Sequence, residues 1–167
     1  TWGYTKNLGP AVNSIGWDSQ PSLSHSGDTL FFASDRIGGL GFSDIYYSTK
    51  DKDGNWQKAL NLGPIINTRG FEVSPFFHHK HNVLYFSSNG QPLSFGGFDI
   101  LKSYKRSLTW DEPKNLGPLV NGPGSEYYFT IDSESNYLYY ASSTGDNVEN
   151  LDLHSFPAPM EAQPTAI

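Results

Sequence analysis

A block of 54 residues repeats along the chain, and this repeat constrains the fold more than any other feature. A Trp followed at a fixed distance by Asn-Leu-Gly occurs three times, and both intervals between the copies are 54 residues. The copies begin at Trp2, Trp56 and Trp110. A long period of this kind predicts a supersecondary unit that is stacked on its neighbours, because one such unit cannot bury its apolar face alone.

Other residues keep the same register. Two asparagines and one acidic residue recur at every step of 54, and a second acidic residue recurs with shifts of one position. Recurrence in every copy favours a structural duty in turns and loops, since chemistry needs a single site. The other interpretation is a channel lined by carboxylates that binds cations or transfers protons. The sets are Asn7, Asn61 and Asn115; Asn13, Asn67 and Asn121; Asp18, Glu72 and Glu126; and Asp44, Asp99 and Asp152.

The apolar runs within one copy predict short strands joined by tight turns. They are rich in Phe, Tyr and Leu and are separated by Gly, Asp, Asn and Ser. In the first copy we expect strands at 20–24, 29–34 and 43–48, a reversal at 51–55, and a fourth strand that Trp56 opens. The second strand shows little polar alternation, so it should be covered on both faces. Four antiparallel strands per copy predict an all-β fold of β-propeller blades.

Three copies predict a partial propeller, because four to eight blades are usual. The blades lie at 18–62, 72–116 and 126–156, the last with three strands, and 2–8 remains as an orphan outer strand. The orphan strand either belongs to an earlier blade outside this chain, which we favour, or closes the ring by completing the last blade. Three prolines within 157–164 predict that 157–167 is an extended linker leaving the compact unit towards another domain.

Composition excludes several classes of function. The net charge is −6 with only 11 Lys and Arg, which argues against nucleic acid or an anionic membrane surface as partner. Without any Cys, the chain can form no disulfide, thiolate nucleophile or Cys-based zinc site. No Gly-x-Ser-x-Gly or His-Glu-x-x-His motif is present. We therefore predict no catalytic residues, no cofactor and no metal site.

Two segments are open to a metal interpretation. Clustered imidazoles at His78, His79 and His81 are frequent ligands of zinc, nickel or copper. Their segment aligns with hairpin turns at 25–28 and 133–136, so we predict a solvated turn, with adventitious metal binding as the alternative. The segment 51–55 is similar to the start of a calcium loop, but Leu62 stands where such a loop needs Glu. A hairpin is the prediction there.

The repeat resembles a known family. The matching strings are Pro-Ser-Leu-Ser at 21–24, Gly-Asp-Thr-Leu-Phe-Phe-Ala-Ser-Asp-Arg at 27–36 and Gly-Phe-Ser-Asp-Ile-Tyr at 41–46, which are similar to the WD40-like PD40 repeat of TolB-type propellers. With the Trp-x-x-x-x-Asn-Leu-Gly element, the chain more narrowly resembles the propeller of OmpA-family lipoproteins. Some members of that family belong to the type IX secretion machinery. The last copy departs from the pattern at 147–154, and the second has Asn-Gly at 89–90 in place of Asp-Arg.

The resemblance implies a non-enzymatic scaffold for protein–protein interaction. Its expected place is the periplasm of a Gram-negative bacterium, in an assembly at the outer membrane, within a larger OmpA-family chain. Its expected partners are other proteins of a cell-envelope complex, and peptidoglycan only through a domain not present here. We expect exposed loop residues to make the contacts, since interfaces favour aromatic and Arg side chains. These are Arg36, Phe42, Arg69 and Phe95.

Two other functions stay open. The first is a glycan or peptide binding module that uses Trp17, which breaks the repeat because its equivalents are Phe71 and Ser125. The second is a hydrolase or lyase of propeller type, for which the sequence offers no motif.

Overall fold

A computed structural model describes residues 3–143 and 150–165. The strands of these residues form three antiparallel sheets, one for each copy of the repeat. The strands are β1 (Asp18–Leu23), β2 (Thr29–Ser34), β3 (Asp44–Thr49), β4 (Leu60–Asn61), β5 (Glu72–His78), β6 (Val83–Ser88), β7 (Asp99–Arg106), β8 (Thr109–Trp110), β9 (Lys114–Asn115), β10 (Glu126–Ile131), β11 (Tyr137–Ser143) and β12 (Leu151–Pro157).

Each sheet is one blade. The first has the order β1-β2-β3-β4, the second β5-β6-β7 with both β8 and β9 on β7, and the third β10-β11-β12. The predicted all-β fold of repeated antiparallel blades is confirmed. The fourth strand differs from expectation, since Trp56 makes only an isolated bridge to Lys50 and β4 begins four residues later, at Leu60. The short hairpin strand β8 in the second blade was not predicted.

The predicted orphan strand at 2–8 is not a strand where the structure describes it. Trp2 lies outside the described residues, and residues 3–8 form no strand and are exposed. A strand needs a neighbouring strand to satisfy its backbone groups. Among the described residues, neither the third strand of an earlier blade nor β12 lies beside this segment.

The segment after Phe156 also differs from the predicted exit linker. β12 continues to Pro157, and a 3₁₀ turn at Met160–Ala162 packs back onto the second blade. Ala162 is fully buried, and its carbonyl accepts a hydrogen bond of 2.8 Å from the Tyr85 hydroxyl. Apolar burial and this bond hold the segment to the blade up to residue 165, and residues 166–167 lie outside the description. A connection to a further domain stays a prediction.

The core lies between the blades. Phe31 of β2 stacks on Phe77 of β5 at 4.8 Å between ring centroids, which joins the first blade to the second. Tyr85 stacks on Phe129 at 4.4 Å, which joins the second to the third. The expected double coverage of the second strand is confirmed for β2 and β6. It is wrong for β11, where Tyr137 and Tyr139 are exposed, because the outer face of the third blade is uncovered in the described part of the chain.

In the first and second blades an asparagine pair holds the segment that leads to the next blade onto the third strand, and we call this pair the Asn clasp. Asn67 Oδ1 accepts a hydrogen bond of 2.8 Å from the backbone N–H of Ile45, and Asn67 Nδ2 donates to the Ile45 carbonyl at 2.9 Å. The same Nδ2 donates to Asn61 Oδ1 at 2.8 Å, and that oxygen also accepts the Gly63 N–H. Gly63 has φ +85°, a conformation that favours glycine.

The Asn clasp is repeated at the second junction with nearly the same distances. Asn121 Oδ1 accepts a hydrogen bond of 2.8 Å from the Ile100 N–H. Asn121 Nδ2 donates to the Ile100 carbonyl at 2.9 Å and to Asn115 Oδ1 at 2.7 Å. In the first and second blades, the third strand is therefore held by an asparagine in the segment that follows the fourth strand of the same blade. The predicted anchoring role of the asparagines is confirmed.

Asn67→Ala tests this role. The change leaves the buried N–H of Ile45 without its partner, while the Ile45 carbonyl keeps the N–H of Leu62, so we expect a loss of about 1 to 3 kcal/mol in the free energy of unfolding. Urea denaturation measures it. Asn13→Ala is the matched control, because Asn13 has the same place in the repeat but no strand to hold in the described structure; we expect a loss below about 1 kcal/mol there. Equal losses for the two variants would contradict the assignment.

Candidate functional site

Loops from all three blades meet at one end of the molecule, which we call the loop face. The loop before each first strand contacts the loop between the second and third strands of the preceding blade. The Phe42 N–H donates to the Gly70 carbonyl at 2.9 Å, and the Gly97 N–H donates to the Gly124 carbonyl at 2.6 Å. A Cβ on Gly41 would overlap the carbonyls of Thr68 and Gly70, so this approach requires glycine.

Aromatic side chains cross the loop face from the first blade to the third. Ring centroids are separated by 5.0 Å from Phe42 to Phe71, 6.2 Å from Phe71 to Phe98, and 4.9 Å from Phe98 to Tyr127. Tyr127 lies 6.1 Å from Tyr128. We call these five residues the aromatic strip. Phe42 is 68% exposed and Tyr128 54%, so both ends of the strip are accessible.

Trp17 adds a cavity beside the strip. Its indole is 41% exposed and, with Phe42, Phe71 and Asp35, lines a cavity of about 310 Å³. Asp35 accepts the Trp17 backbone N–H at 2.6 Å, which fixes the loop that carries the indole. Aromatic walls with one carboxylate offer stacking and one acceptor to a bound group.

The first strands carry a bulge at the same place in every blade. Gln20, Ser74 and Tyr128 have φ of 56°, 52° and 57°, which is unusual for residues other than glycine. Gln20 Oε1 accepts the Ser74 N–H at 2.7 Å, and Gln20 Nε2 lies 3.4 Å from the Tyr128 hydroxyl. The bulges therefore meet and place Tyr128 in both the strip and this polar contact.

The first carboxylate set lies just below the strip and fixes the loops. Asp18 accepts the N–H and the hydroxyl of Ser14 at 2.6 and 2.8 Å. Glu72 accepts the N–H and the hydroxyl of Thr68, both at 2.7 Å, and the Ser88 hydroxyl at 2.6 Å. Burial raises the pKa of Glu72 despite these donors. The predicted structural duty is confirmed for these two carboxylates.

Glu126 is the exception in this set. Gly122 stands where the other copies have Ser14 and Thr68, so no hydroxyl donates from that position. Glu126 Oε1 accepts the Ser142 hydroxyl at 3.0 Å, while Oε2 has no partner among the described residues. Burial, only partly offset by Ser142 and the Gly122 backbone, raises the pKa of Glu126 to about 7. The sequence signal for this exception is Gly122, which lies four residues before Glu126 and has no hydroxyl.

In the second carboxylate set, which is Asp44, Asp99 and Asp152, two members are anchors and the third is an exception. Asp44 accepts the Leu40 N–H at 2.5 Å and Asn61 Nδ2 at 2.8 Å, and Asp99 accepts the equivalent groups in its blade. Asp152 is exposed. Two of the three positions thus anchor a loop and the fourth strand, and the third does not share their burial.

Trp17 and Phe42, two of the predicted contact residues, line the same cavity. Arg36 is not part of the candidate site. The expected exposure of Arg36 is wrong, because its guanidinium donates to Asp18 Oδ1 at 2.6 Å and to the Val12 carbonyl at 2.7 Å, with 16% of the side chain exposed. Arg69 is exposed, in the loop that contacts Gly41. Phe95 is 40% exposed, in the loop before β7.

Phe71, Phe98 and Tyr127 belong to the strip but were not among the predicted contact residues. A signal was present, since each aromatic residue directly precedes or follows one of the recurring carboxylates. A residue next to a buried anchor carboxylate is held at the loop face, but the contact between successive blades is visible only in three dimensions.

The histidines lie partly inside the fold. β5 ends at His78 and β6 begins at Val83, so the predicted turn is confirmed, but His78 is buried and not solvated. His79 stacks on His25 of the first blade at 4.4 Å, which joins two blades at this turn. Among the described residues no group of three or more His, Asp or Glu is arranged to hold a metal ion. The predicted hairpin at 51–55 is confirmed, with Asp51 accepting the N–H of Asp53 and Asn55.

Comparison with known proteins identifies the fold. No protein-family model matches the chain. No curated protein matches it significantly either. Among solved structures, a protein described as TolB from Agrobacterium tumefaciens has a TM-score of 0.59 at 12% identity, over 93% of this chain and 48% of its own. This chain therefore spans about half the length of that protein.

Two further structures share the same fold. TolB from Acinetobacter baumannii has a TM-score of 0.54 at 13% identity, over 83% of this chain and 29% of its own. An α-L-arabinofuranosidase from Lactobacillus brevis has a TM-score of 0.54 at 12% identity, over 84% of this chain and 52% of its own. The three blades therefore share the β-propeller fold of these structures. Within the described residues, no helix has the length and apolar character needed to cross a bilayer.

Glu126 makes stability depend on pH. Its pKa rises from 4.5 to about 7 on folding, so the folded state binds the proton more tightly than the unfolded state. The free energy of unfolding should therefore fall as pH rises from 4.5 through 7, by about 3 kcal/mol. Glu126→Gln should remove this loss and leave a more stable protein above pH 7, as measured by urea denaturation at several pH values. Glu134→Gln, an exposed change of equal charge, is the control and should keep the wild-type pH profile.

Proposed function

We propose that this chain is a non-enzymatic β-propeller platform that binds other proteins through its loop face. The aromatic strip is the observation that carries the proposal. It runs over three blades, and partly exposed aromatic side chains are the residues that most often dominate protein interfaces. Exposed Arg69 beside Phe71 supplies a charged group at the rim of the same surface.

Four of the six repeated carboxylates support a platform over an enzyme. Asp18, Glu72, Asp44 and Asp99 are engaged with backbone, hydroxyl or amide donors of their own or the adjoining loop. Groups committed to such bonds are poor candidates for proton transfer. The fold itself leaves the question open, since a glycosidase shares it. The proposal therefore depends on the chemistry of the loop face.

The proposed setting is the periplasm, in an assembly associated with the outer membrane. The resemblance to PD40 propellers of the OmpA family supports it, and that family includes chains of the type IX secretion machinery. On this proposal the blades belong to a larger OmpA-family chain, whose other domains would bind peptidoglycan.

The loop face can be tested by removing two rings of the strip. Immobilised wild-type chain, Phe42→Ser with Phe71→Ser, and Leu108→Ser are each incubated with solubilised envelope proteins of the source bacterium, and captured proteins are quantified by mass spectrometry. We expect at least one protein to be captured by wild type and by Leu108→Ser, which changes an exposed apolar residue away from the strip. Its recovery on the double variant should fall about tenfold or more. Equal recovery on all three would refute the proposal.

The cavity beside Trp17 favours a second candidate function, glycan or peptide binding. An exposed indole is a stacking surface for a sugar ring, and Asp35 is an acceptor at the cavity wall. Peptidoglycan fragments should then quench the fluorescence of wild type in a saturable manner, while Trp17→Phe keeps the other tryptophans and shows no such change. Identical titrations for both proteins would exclude this cavity as the binding site.

A further inference from the structure

The two junctions between blades are filled differently at one equivalent place. At the junction of the second and third blades, the 3₁₀ turn at Met160–Ala162 lies against the second blade and buries Ala162 beside Tyr85. Lys102 Nζ donates to the Gln163 carbonyl at 2.6 Å and holds the same segment. A cavity of about 130 Å³ remains there, beside Lys102.

The junction of the first and second blades has a hairpin at this place and keeps a larger cavity. Trp110, in the hairpin that β7 and β8 form, stands one repeat before Pro164. Its ring meets the Phe31 ring edge-on, with 6.1 Å between the centroids and 81° between the planes. Between the hairpin and the first blade lies a cavity of about 380 Å³. This volume is within the range of about 300 to 1,000 Å³ that is usual for small-molecule sites.

Aromatic side chains form much of the wall of this cavity. Phe31 is buried, Tyr47 and Trp110 are half-buried, and all three line the cavity. The ring centroids of Phe31 and Tyr47 are 6.3 Å apart. Leu62 and Ile65 add aliphatic surface. Aromatic walls of this kind favour a planar apolar group, which they contact by offset stacking and edge-to-face packing.

Lys105 places a positive charge at the rim of the cavity. It is exposed, and no Asp or Glu lines the cavity. The equivalent lysine of the first blade, Lys50, holds its ammonium over the ring of Trp56, 4.8 Å from the centroid. In the described part of the chain, Lys105 makes neither such a contact with Trp110 nor an ion pair. The Lys105 ammonium is therefore available to an anionic group.

We propose that this cavity binds a small aromatic carboxylate, with its ring between Phe31, Tyr47 and Trp110 and its carboxylate on the Lys105 ammonium. The ring leaves water for the aromatic walls, and the carboxylate accepts a charge-assisted hydrogen bond from Lys105. The site shares no lining residue with the cavity beside Trp17. It is also independent of the loop-face proposal, because none of its walls belongs to the aromatic strip.

Binding is tested with hydrocinnamate as the probe, in an NMR titration of the isotope-labelled chain. The indole N–H signal of Trp110 is identified as the one that Trp110→Phe removes. We expect this signal to shift in a saturable manner with a Kd of about 0.1 to 1 mM, which suits a ligand of this size. Hydrocinnamamide, which has nearly the same shape and no charge, should bind at least about fivefold more weakly. No saturable shift up to about 10 mM hydrocinnamate would overturn the proposal.

Lys105→Met removes the charge and keeps an unbranched side chain at an exposed position. The affinity for hydrocinnamate should fall at least about fivefold, and the affinity for hydrocinnamamide should stay as in the wild type. Lys52→Met, an exposed change of equal charge away from the cavity, is the matched control and should bind both probes as the wild type does. Equal losses of hydrocinnamate affinity in the two lysine variants would contradict the proposal.

Intermolecular NOEs locate the bound ring. NOEs from the phenyl protons of hydrocinnamate should reach the Tyr47 ring and the Trp110 indole, and none should reach Trp17. NOEs to Trp17 in their place would put the probe in the other cavity and would rule out the site beside Lys105.

Discussion

The structure depends on one polar interaction in the segment that links consecutive blades, where an asparagine amide binds both backbone groups of a buried residue in the third strand. Asn67 and Asn121 each accept a buried N–H that the fourth strand, only two residues long, does not reach. Each also adds a second donor to a carbonyl that already accepts the N–H of Leu62 or Leu116. Buried backbone groups must be paired, and a short strand leaves some of them open. The clasp closes this gap and at the same time fixes where the next blade begins.

This coupling explains how the loop face is built. The clasp is followed after five residues by a carboxylate, Glu72 after Asn67 and Glu126 after Asn121, and Glu72 fixes the next loop through Thr68. An aromatic or small residue just before that carboxylate then lies at the loop face. The contacts that anchor each repeat therefore also place a row of partly exposed aromatic rings on the loop face. Variation at these ring positions changes the surface without changing the junction, which suits a binding platform.

Most of the fold followed from sequence, and the candidate site followed only in part. The period of 54 residues, the turn residues and the aromatic strands predicted antiparallel blades, and the structure has them. Trp17 and Phe42 were selected and do lie together. Arg36 was predicted to be a contact residue from its residue type, but it forms an ion pair with Asp18. A charged side chain near a largely buried carboxylate is more stable paired than exposed. Phe71 and Phe98 were passed over because their contact joins residues from different loops.

The sequence alone determined the unit, its length and the residues that repeat, because local turn chemistry and strand pairing within a blade need only neighbouring residues. Tertiary structure decided what each repeat touches. It placed 158–165 back on the second blade and left Glu126 without the hydroxyl that its equivalents receive. The physical reason is that burial and hydrogen bonding between blades are properties of the stack, and a periodic sequence gives the same pattern to a blade that has a neighbour and to one that does not.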